Sequence, residues 1–438
     1  MASTYLTRTP ATATNRKTFT FSSWIKISNL TPFKNIFQAG STTDDAIRLR
    51  SSGTATAPYV LDVYFNNGSN GQVGTNMLFR DVSAWYHIVC AIDTTQATST
   101  DRIKVYINGT LQTLQSINGY PTLNYDTNFN NTIAQKIGTN YENQYFDGSM
   151  AHVHFTDGTA YDVSAFGETD ATSGIWKPKT SPSVTYGTNG FFLKFANSAS
   201  LGTDSSGNGN NFTVNGSGTQ TLDTPSNVFA TINTLVRRTS LIGSPDQSFI
   251  DGNLTSINNS SGGTTDYNVS TLGMTGSGKY YAEVKIITLG SNSTGTFITG
   301  ISKIVNTANF PMSTGLGYRA TGEKYDGANS TAYGATLANG DIVGIAFDLD
   351  SGTLTFYKNG VSQGTAFTSI DASETWFIST TSYGSTSEAK FSYNFGNGYF
   401  GTTAVATPES DSAGIGKFEY SVPSGYYALC TKNIATYG

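Results

Sequence analysis

Thr353-Leu354-Thr355-Phe356-Tyr357-Lys358-Asn359-Gly360-Val361 is the stretch on which the fold class turns. Leu354 and Phe356 share one face of an extended chain while Thr353, Thr355 and Tyr357 share the other, the period-two pattern of a strand. Asn359-Gly360 then interrupts it with residues that tolerate the positive φ of a type I′ turn, so the stretch reads as a β-hairpin. The same device stands earlier as Ile103-Lys104-Val105-Tyr106-Ile107-Asn108-Gly109-Thr110-Leu111. Each hairpin follows a long apolar run ending in Asp, Ile88 to Asp93 in one half and Ile342 to Asp348 in the other. We therefore expect two copies of one sandwich architecture and not a solenoid, whose repeats are short and many.

Working outward, strand-like runs cover Thr18 to Ile27, Tyr59 to Phe65, Trp85 to Asp93, Met150 to Phe155 and Gly278 to Ile286, with turn clusters such as Asn66 to Gly71 between them. The expectation is an all-β fold of two antiparallel β-sandwich (jelly-roll) domains in tandem, over 1–200 and 246–400. Residues 201–245 are poor in apolar periodicity and read as a linker or domain-edge segment. Residues 401–438 hold one apolar run, Tyr426 to Cys430, and read as a segment packing on a domain.

Composition agrees. Of 438 residues only 13% are charged while 13% are aromatic, and Ser, Thr and Asn fill the places usually held by Lys and Glu. Such aromatic density argues against disorder, and the shortage of long-chain helix formers favours strands. A net charge of -5 with pI near 5.2 leaves no basic stripe, so no nucleic-acid partner is expected. No window approaches a membrane span, and the first ten residues have no apolar core of a secretion signal. Cys90 and Cys430 read as buried thiols, since two cysteines so far apart do not make a disulfide framework.

Four features of the sequence bear on chemistry. A glycoside hydrolase needs two carboxylates about 5–10 Å apart, but Glu is scarce and no Glu-x-Asp-x-Glu run occurs; Asp348 and Asp350 read as turn formers. His152 and His154 share a strand face about 7 Å apart, which suits chelation, yet only Asp157 follows nearby and His87 is remote in sequence. Asp204-x-Ser206-x-Asn208-Gly209 copies the opening oxygen spacing of a calcium loop, but Asn215 stands where a bidentate Glu belongs; Asp44-Asp45 is a second place for a structural calcium. Phosphate-loop and Gly-x-Ser-x-Gly nucleophile motifs do not occur. No catalytic residue, no metal site and no cofactor is assigned, and the chain is expected not to be an enzyme.

Leu349-Asp350-Ser351-Gly352-Thr353-Leu354-Thr355-Phe356-Tyr357-Lys358-Asn359-Gly360, after Gly340 to Ile345, resembles the signature of the SPRY domain family, with Gly278 to Val284 like its opening strand and Phe391 to Gly396 like its last. Ser22 to Lys26, Trp85 to Val89, Val105 to Gly109, Phe146 to Ala151 and Asp204 to Asn210 resemble a laminin-G or concanavalin-A-like jelly roll. This pair, with Tyr5 to Thr9 at one end and Gly425 to Ile434 at the other, resembles structural proteins of tailed bacteriophages. The resemblance implies a virion-surface protein of tail-fibre or receptor-binding type, or a shaftless decoration protein of head or tail, assembled in the host cytoplasm. Its implied partners are other virion proteins, a host-surface carbohydrate or protein, and further copies of itself, without membrane insertion. In the SPRY-like half Tyr318, Arg319, Tyr325 and Asp326 sit in a loop-rich stretch, and Trp376 and Tyr383 are expected beside them. Aromatic faces that stack on sugar C–H surfaces, with polar groups for the hydroxyls, make these the candidate ligand-binding residues.

Overall fold

In the strand Thr18–Ile27, Phe19, Phe21, Ile25 and Ile27 are buried side by side, and that alternation starts the first core. The protein is described from a computed structural model covering residues 4–28, 33–42, 44–51, 59–236, 247–258, 266–290, 297–304, 314–382 and 388–438. It divides into two compact units, 1–220 and 221–438. Among the described residues both are built of strands, with one α-helix at Thr431–Tyr437.

In the first unit an eight-stranded sheet runs in the order Leu114–Ser116, Gln72–Thr75, Tyr59–Tyr64, Asp45–Ser51, Lys34–Ala39, Gln135–Ile137, Tyr5–Arg8, Thr213–Asn215. A six-stranded sheet runs Phe191–Leu193, Gly148–Asp157, Thr18–Ile27, Trp85–Asp93, Ile103–Ile107, Thr110–Leu111. Neighbours pair antiparallel, and Leu6, Ile137, Phe37, Ile47, Val63 and Val73 form one inward row across the larger sheet. Phe37 meets Phe21 at 5.0 Å and Phe155 at 5.6 Å, so the core is the aromatic layer between the sheets.

The second unit repeats the plan. One sheet runs Gln247–Ile250, Thr255–Asn258, Ala389–Asn394, Lys279–Thr288, Ile342–Asp348, Thr353–Lys358, Val361–Phe367, with Tyr427–Ala428 pairing parallel to Lys279–Thr288. The other runs Asn268–Val269, Phe377–Thr381, Ile298–Ser302, Gly315–Arg319, Glu323–Tyr325, Ser330–Ala332. Val284, Ile345, Phe347, Phe356, Phe391 and Ile378 lie in the core between them.

Both hairpins form as the turn chemistry demands: φ is +48° and +86° at Asn108 and Gly109, and +49° and +79° at Asn359 and Gly360. Each Asn also ties the turn to the apolar strand before it. The Asn108 Oδ1 accepts the His87 N–H at 2.7 Å, and the Asn359 Oδ1 accepts that of Ile342 at 2.8 Å. The two apolar runs are continuous because both their faces are covered. Val89 lies under Val163, Phe166 and Trp176 from residues 158–186. Ala346 lies with Tyr281 under Phe229, Phe418 and Ala428, which come from either end of the second unit.

The stretch 201–245, read as a linker or domain-edge segment, is packed on the units over its described residues. Thr213–Asn215 is a strand of the first unit and Phe212 abuts Phe191 at 4.7 Å. Phe229 bridges to Cys430 and Ile232 to Ser270 in the second unit. Its strand pieces are too short to show a period. Residues 401–438 lie on the second unit, where Asp411 accepts N–H bonds from Ile415, Gly416 and Ala428. Cys90 and Cys430 are free and buried.

Candidate functional site

The sequence-derived candidates separate into surface and core. Gly315–Arg319, Glu323–Tyr325 and Ser330–Ala332 form one edge of the six-stranded sheet of the second unit. Gly322, at φ +90°, turns the chain between the first two. On this edge the Arg319 guanidinium lies 5.9 Å from the Tyr325 ring, 3.8 Å from Glu323 and 2.6 Å from the Ser330 hydroxyl. The Tyr325 hydroxyl donates to the Gly327 carbonyl at 2.7 Å. Asp326 is exposed, and N–H groups of Asn329 and Ala328 hold its carboxyl below the usual range. The result is a charged, aromatic and hydroxyl-bearing edge fixed by its own bonds.

Tyr318 is not on it. Its side chain points inward beside Phe356 and Tyr333, fully buried, with its hydroxyl donating to the Ala335 carbonyl. Strand alternation explains the split, since neighbours in a strand face opposite ways. Trp376 is also a core residue: its Nε1 donates to the Asp371 carbonyl at 2.9 Å and its ring meets Phe347 edge-on. Register puts it away from Arg319, because Ile298 pairs with Arg319 and Thr381 while Ser302 pairs with Gly315 and Phe377. Trp376 therefore belongs to the opposite end of the sheet. Tyr383 lies outside the described residues.

Apart from the buried Asp44 Oδ1, the carboxylate oxygens of the calcium candidates are engaged by the chain itself. Asp204 accepts N–H bonds from Phe192, Ser206 and Asn210 and a hydroxyl from Ser206, closing an Asx-type turn. Asp45 accepts from the N–H groups of Asn66 and Asn128, and Asp44 from the Tyr64 hydroxyl at 2.6 Å and from Gln38. Burial raises the Asp45 carboxyl to about 7. Donors crowding an oxygen leave little room for a cation. Asp348 and Asp350 are likewise engaged, the first with Lys279 at 2.9 Å and Ser351, the second with the Gly278 N–H.

His87 is not remote in space. It lies across from Trp24, two strands from His152 and His154, on the outer face of the smaller sheet of the first unit. A β-bulge between Ala151 and His154 puts His152 at φ +48°, and the rings of His152 and His154 stack at 6.4 Å. Stacked rings do not converge on a metal, and Asp157 is taken by Asn130 and the Asn189 N–H. No cluster of three or more metal-ligating acids, histidines or cysteines exists among the described residues.

Ser22 Oγ lies 2.9 Å from His87 Nε2, the spacing of a nucleophile and its base. The tautomer rules that chemistry out. Trp176 Nε1 donates to His87 Nδ1 at 3.0 Å, so the neutral ring carries its proton on Nε2 and donates to Ser22. Burial, and then His152, also hold this imidazole down at about 3.

Residues 2–162 match the family described as the concanavalin A-like lectin/glucanases superfamily, and residues 279–397 match the SPRY domain. The chain thus carries a lectin-like sandwich and a SPRY domain. Over 157 residues it is 29% identical to the ATP-dependent RNA helicase Ddx1 of Drosophila melanogaster, a span of 33% of this chain and 20% of that protein. The chain therefore spans about a fifth of that relative. Among solved structures it is similar to the SPRY domain of human HERC1, at 23% identity over 32% of this chain and 87% of that one, with TM-score 0.27. It is also similar to the heptameric SAP-like pentraxin of Limulus polyphemus, at 14% identity over 49% of this chain and 89% of that one, with TM-score 0.30.

Proposed function

We propose that this protein is a non-catalytic binding protein of a tailed-phage virion surface, engaging a host-surface glycan or protein through the edge that carries Arg319, Tyr325 and Asp326. It works there as a homo-oligomer among other virion proteins. The observation that carries the binding reading is that edge: an aromatic ring, a guanidinium and a carboxylate held in place on a rigid sheet, with a hydroxyl beside them. Tyr325 offers a face for sugar C–H groups, and Arg319 and Asp326 hydrogen-bond hydroxyls or a peptide backbone. The superfamily matched by the first unit includes glucanases as well as lectins. What favours binding over hydrolysis is that Asp45, Asp204, Asp348 and Asp350 are already bonded to backbone N–H groups or lysine. The virion setting rests on the terminal motifs and on the pairing of the two domains.

The test is competition of phage adsorption by purified protein, together with a glycan array. Saturable blocking, weakened at least tenfold by Arg319→Ala or Tyr325→Ala, is the expected outcome. Release of reducing ends from host polysaccharide would turn the reading to a hydrolase. A protein that coats particles lacking it, but neither blocks adsorption nor binds glycan, is an architectural decoration protein.

A further inference from the structure

The chain has three histidines, and all three gather on one sheet face, His87 beneath Trp176 and His154 beneath Phe166 and Tyr186, with His152 beside His154. We propose that residues 158–186 form an acid-released strap on the first unit, with His87 as the catch and Trp176 as the group it holds.

The strap is seated by Val163, Phe166, Tyr161, Trp176 and Val184 against Val89 and Tyr106. Trp176 occupies a socket where two residues are glycine: a Cβ at Gly109 would come within 2.9 Å of the indole, and one at Gly167 would overlap it. At its start the strap is bonded to Thr20, whose Oγ1 accepts the Tyr161 N–H at 2.7 Å and donates to the Thr159 carbonyl at 2.8 Å; further along, its polar fastening is the Trp176 Nε1–H bond to His87 Nδ1 at 3.0 Å, with Trp24 stacked on the imidazole at 4.8 Å. An indole N–H only donates. A solvent proton bound at Nδ1 places N–H against N–H, so this bond breaks, while Nε2–H keeps its bond to Ser22. A second fastening, His154 Nδ1 to the Tyr186 hydroxyl at 2.9 Å, survives protonation because a hydroxyl can also accept. Of the two histidine fastenings, His87 is therefore the acid-sensitive one, and the carboxylates of Asp162 and Asp170 brace turns inside the strap and do not bond it to the sheet.

The groups that act on the three imidazoles are the Lys194 ammonium and the imidazoles themselves, which become cations only when protonated. Burial and His152 hold His87 down, burial and Lys194 hold His152 down, and burial, His152, His87 and Lys194 hold His154 well below its ordinary value. Of the other charges on the packed elements, Asp162 bears on Tyr106 and Asp204 on Tyr186. Lys177 pairs with Asp170 and Glu168, and Lys104 with Asp101. With no carboxylate among the groups acting on the imidazoles, the first proton to enter finds no counter-ion, and opening the strap to water is the way to solvate it.

The test follows amide exchange and the ¹⁵N indole signals of the full chain from pH 7 to pH 2. Protection factors for amides such as that of Lys179, bonded to the Phe166 carbonyl, are expected to fall at least tenfold while those of Thr18–Ile27 persist. The Trp176 indole signal should move with the midpoint of the His87 ring signals. His87→Gln, whose amide oxygen accepts from Trp176 but does not titrate, should keep the strap protected throughout. Trp176→Phe should show a loosened strap already at pH 7 and no acid step. A strap that stays protected until the whole unit unfolds, or opens at the same pH in His87→Gln, overturns the proposal. Should His87→Gln fail to fold, the wild-type midpoints decide: coincidence of His87 and Trp176 supports it, separation overturns it.

Discussion

Asp266, wholly buried, shows what a single residue contributes here. Its Oδ1 accepts the N–H and hydroxyl of Ser382, its Oδ2 has no partner among the described residues, and burial raises the carboxyl to about 7. In the unfolded chain an Asp ionises near 4, so between about pH 4 and 7 the folded state binds more protons than the unfolded one. Its stabilising effect is complete below about pH 4 and is lost as pH rises to 7. Glu283 and Asp45, also raised to about 7 by burial, act in the same direction. Urea midpoints of the second unit, which contains no histidine to oppose them, are therefore expected to fall from pH 5 to pH 8. Asp266→Asn removes one ionisation and should raise stability at pH 8 by on the order of 2 kcal/mol, with a shallower slope. An unchanged slope in that variant would place the sensitivity elsewhere. Candidate residues were only partly legible at this scale. Arg319, Tyr325 and Asp326 share the surface edge, but Tyr318 and Trp376 fill the core, since a Tyr or Trp reads alike in either place until its strand's register is known.

The Asn-Gly hairpin is the element that both units share. Its turn type was readable from two letters because few residues accept consecutive positive φ angles. Its covering was not. Tyr420 lies over Gly360 as Trp176 lies over Gly109, and a Cβ at Gly360 would approach the Tyr420 ring to 2.8 Å. Gly360→Ala is thus expected to destabilise the second unit by about 1–3 kcal/mol, combining backbone strain with displacement of Tyr420. Equilibrium urea unfolding measures it, and a neutral result would mean that the ring moves aside at no cost. The long apolar runs Ile88–Asp93 and Ile342–Asp348 were legible as runs, but nothing local named the residues that cover their outer faces.

For the molecule as a whole the boundary between units is open to direct test. A fragment of residues 221–438 should melt in one cooperative step, because it contains both edges of its buried clusters. A fragment starting at residue 246 loses Phe229 and Ile232 and bares Tyr281, Phe418 and Cys430. Loss of the buried Phe229 alone is expected to cost about 3–5 kcal/mol, so a markedly lower melting temperature in circular dichroism should follow. Equal melting of the two fragments would return 221–245 to the status of a tether. Two sandwiches, their hairpins and their all-β character were written in local patterns, because strand alternation and turn φ preferences act between near neighbours in the chain. The joining of three histidines on one face, the inward turn of Tyr318, the use of Asp45 and Asp204 as backbone staples and the packing of 201–236 arose only from tertiary structure. Those depend on which strands become neighbours and on what covers them, contacts between residues tens to hundreds of positions apart that no local pattern specifies.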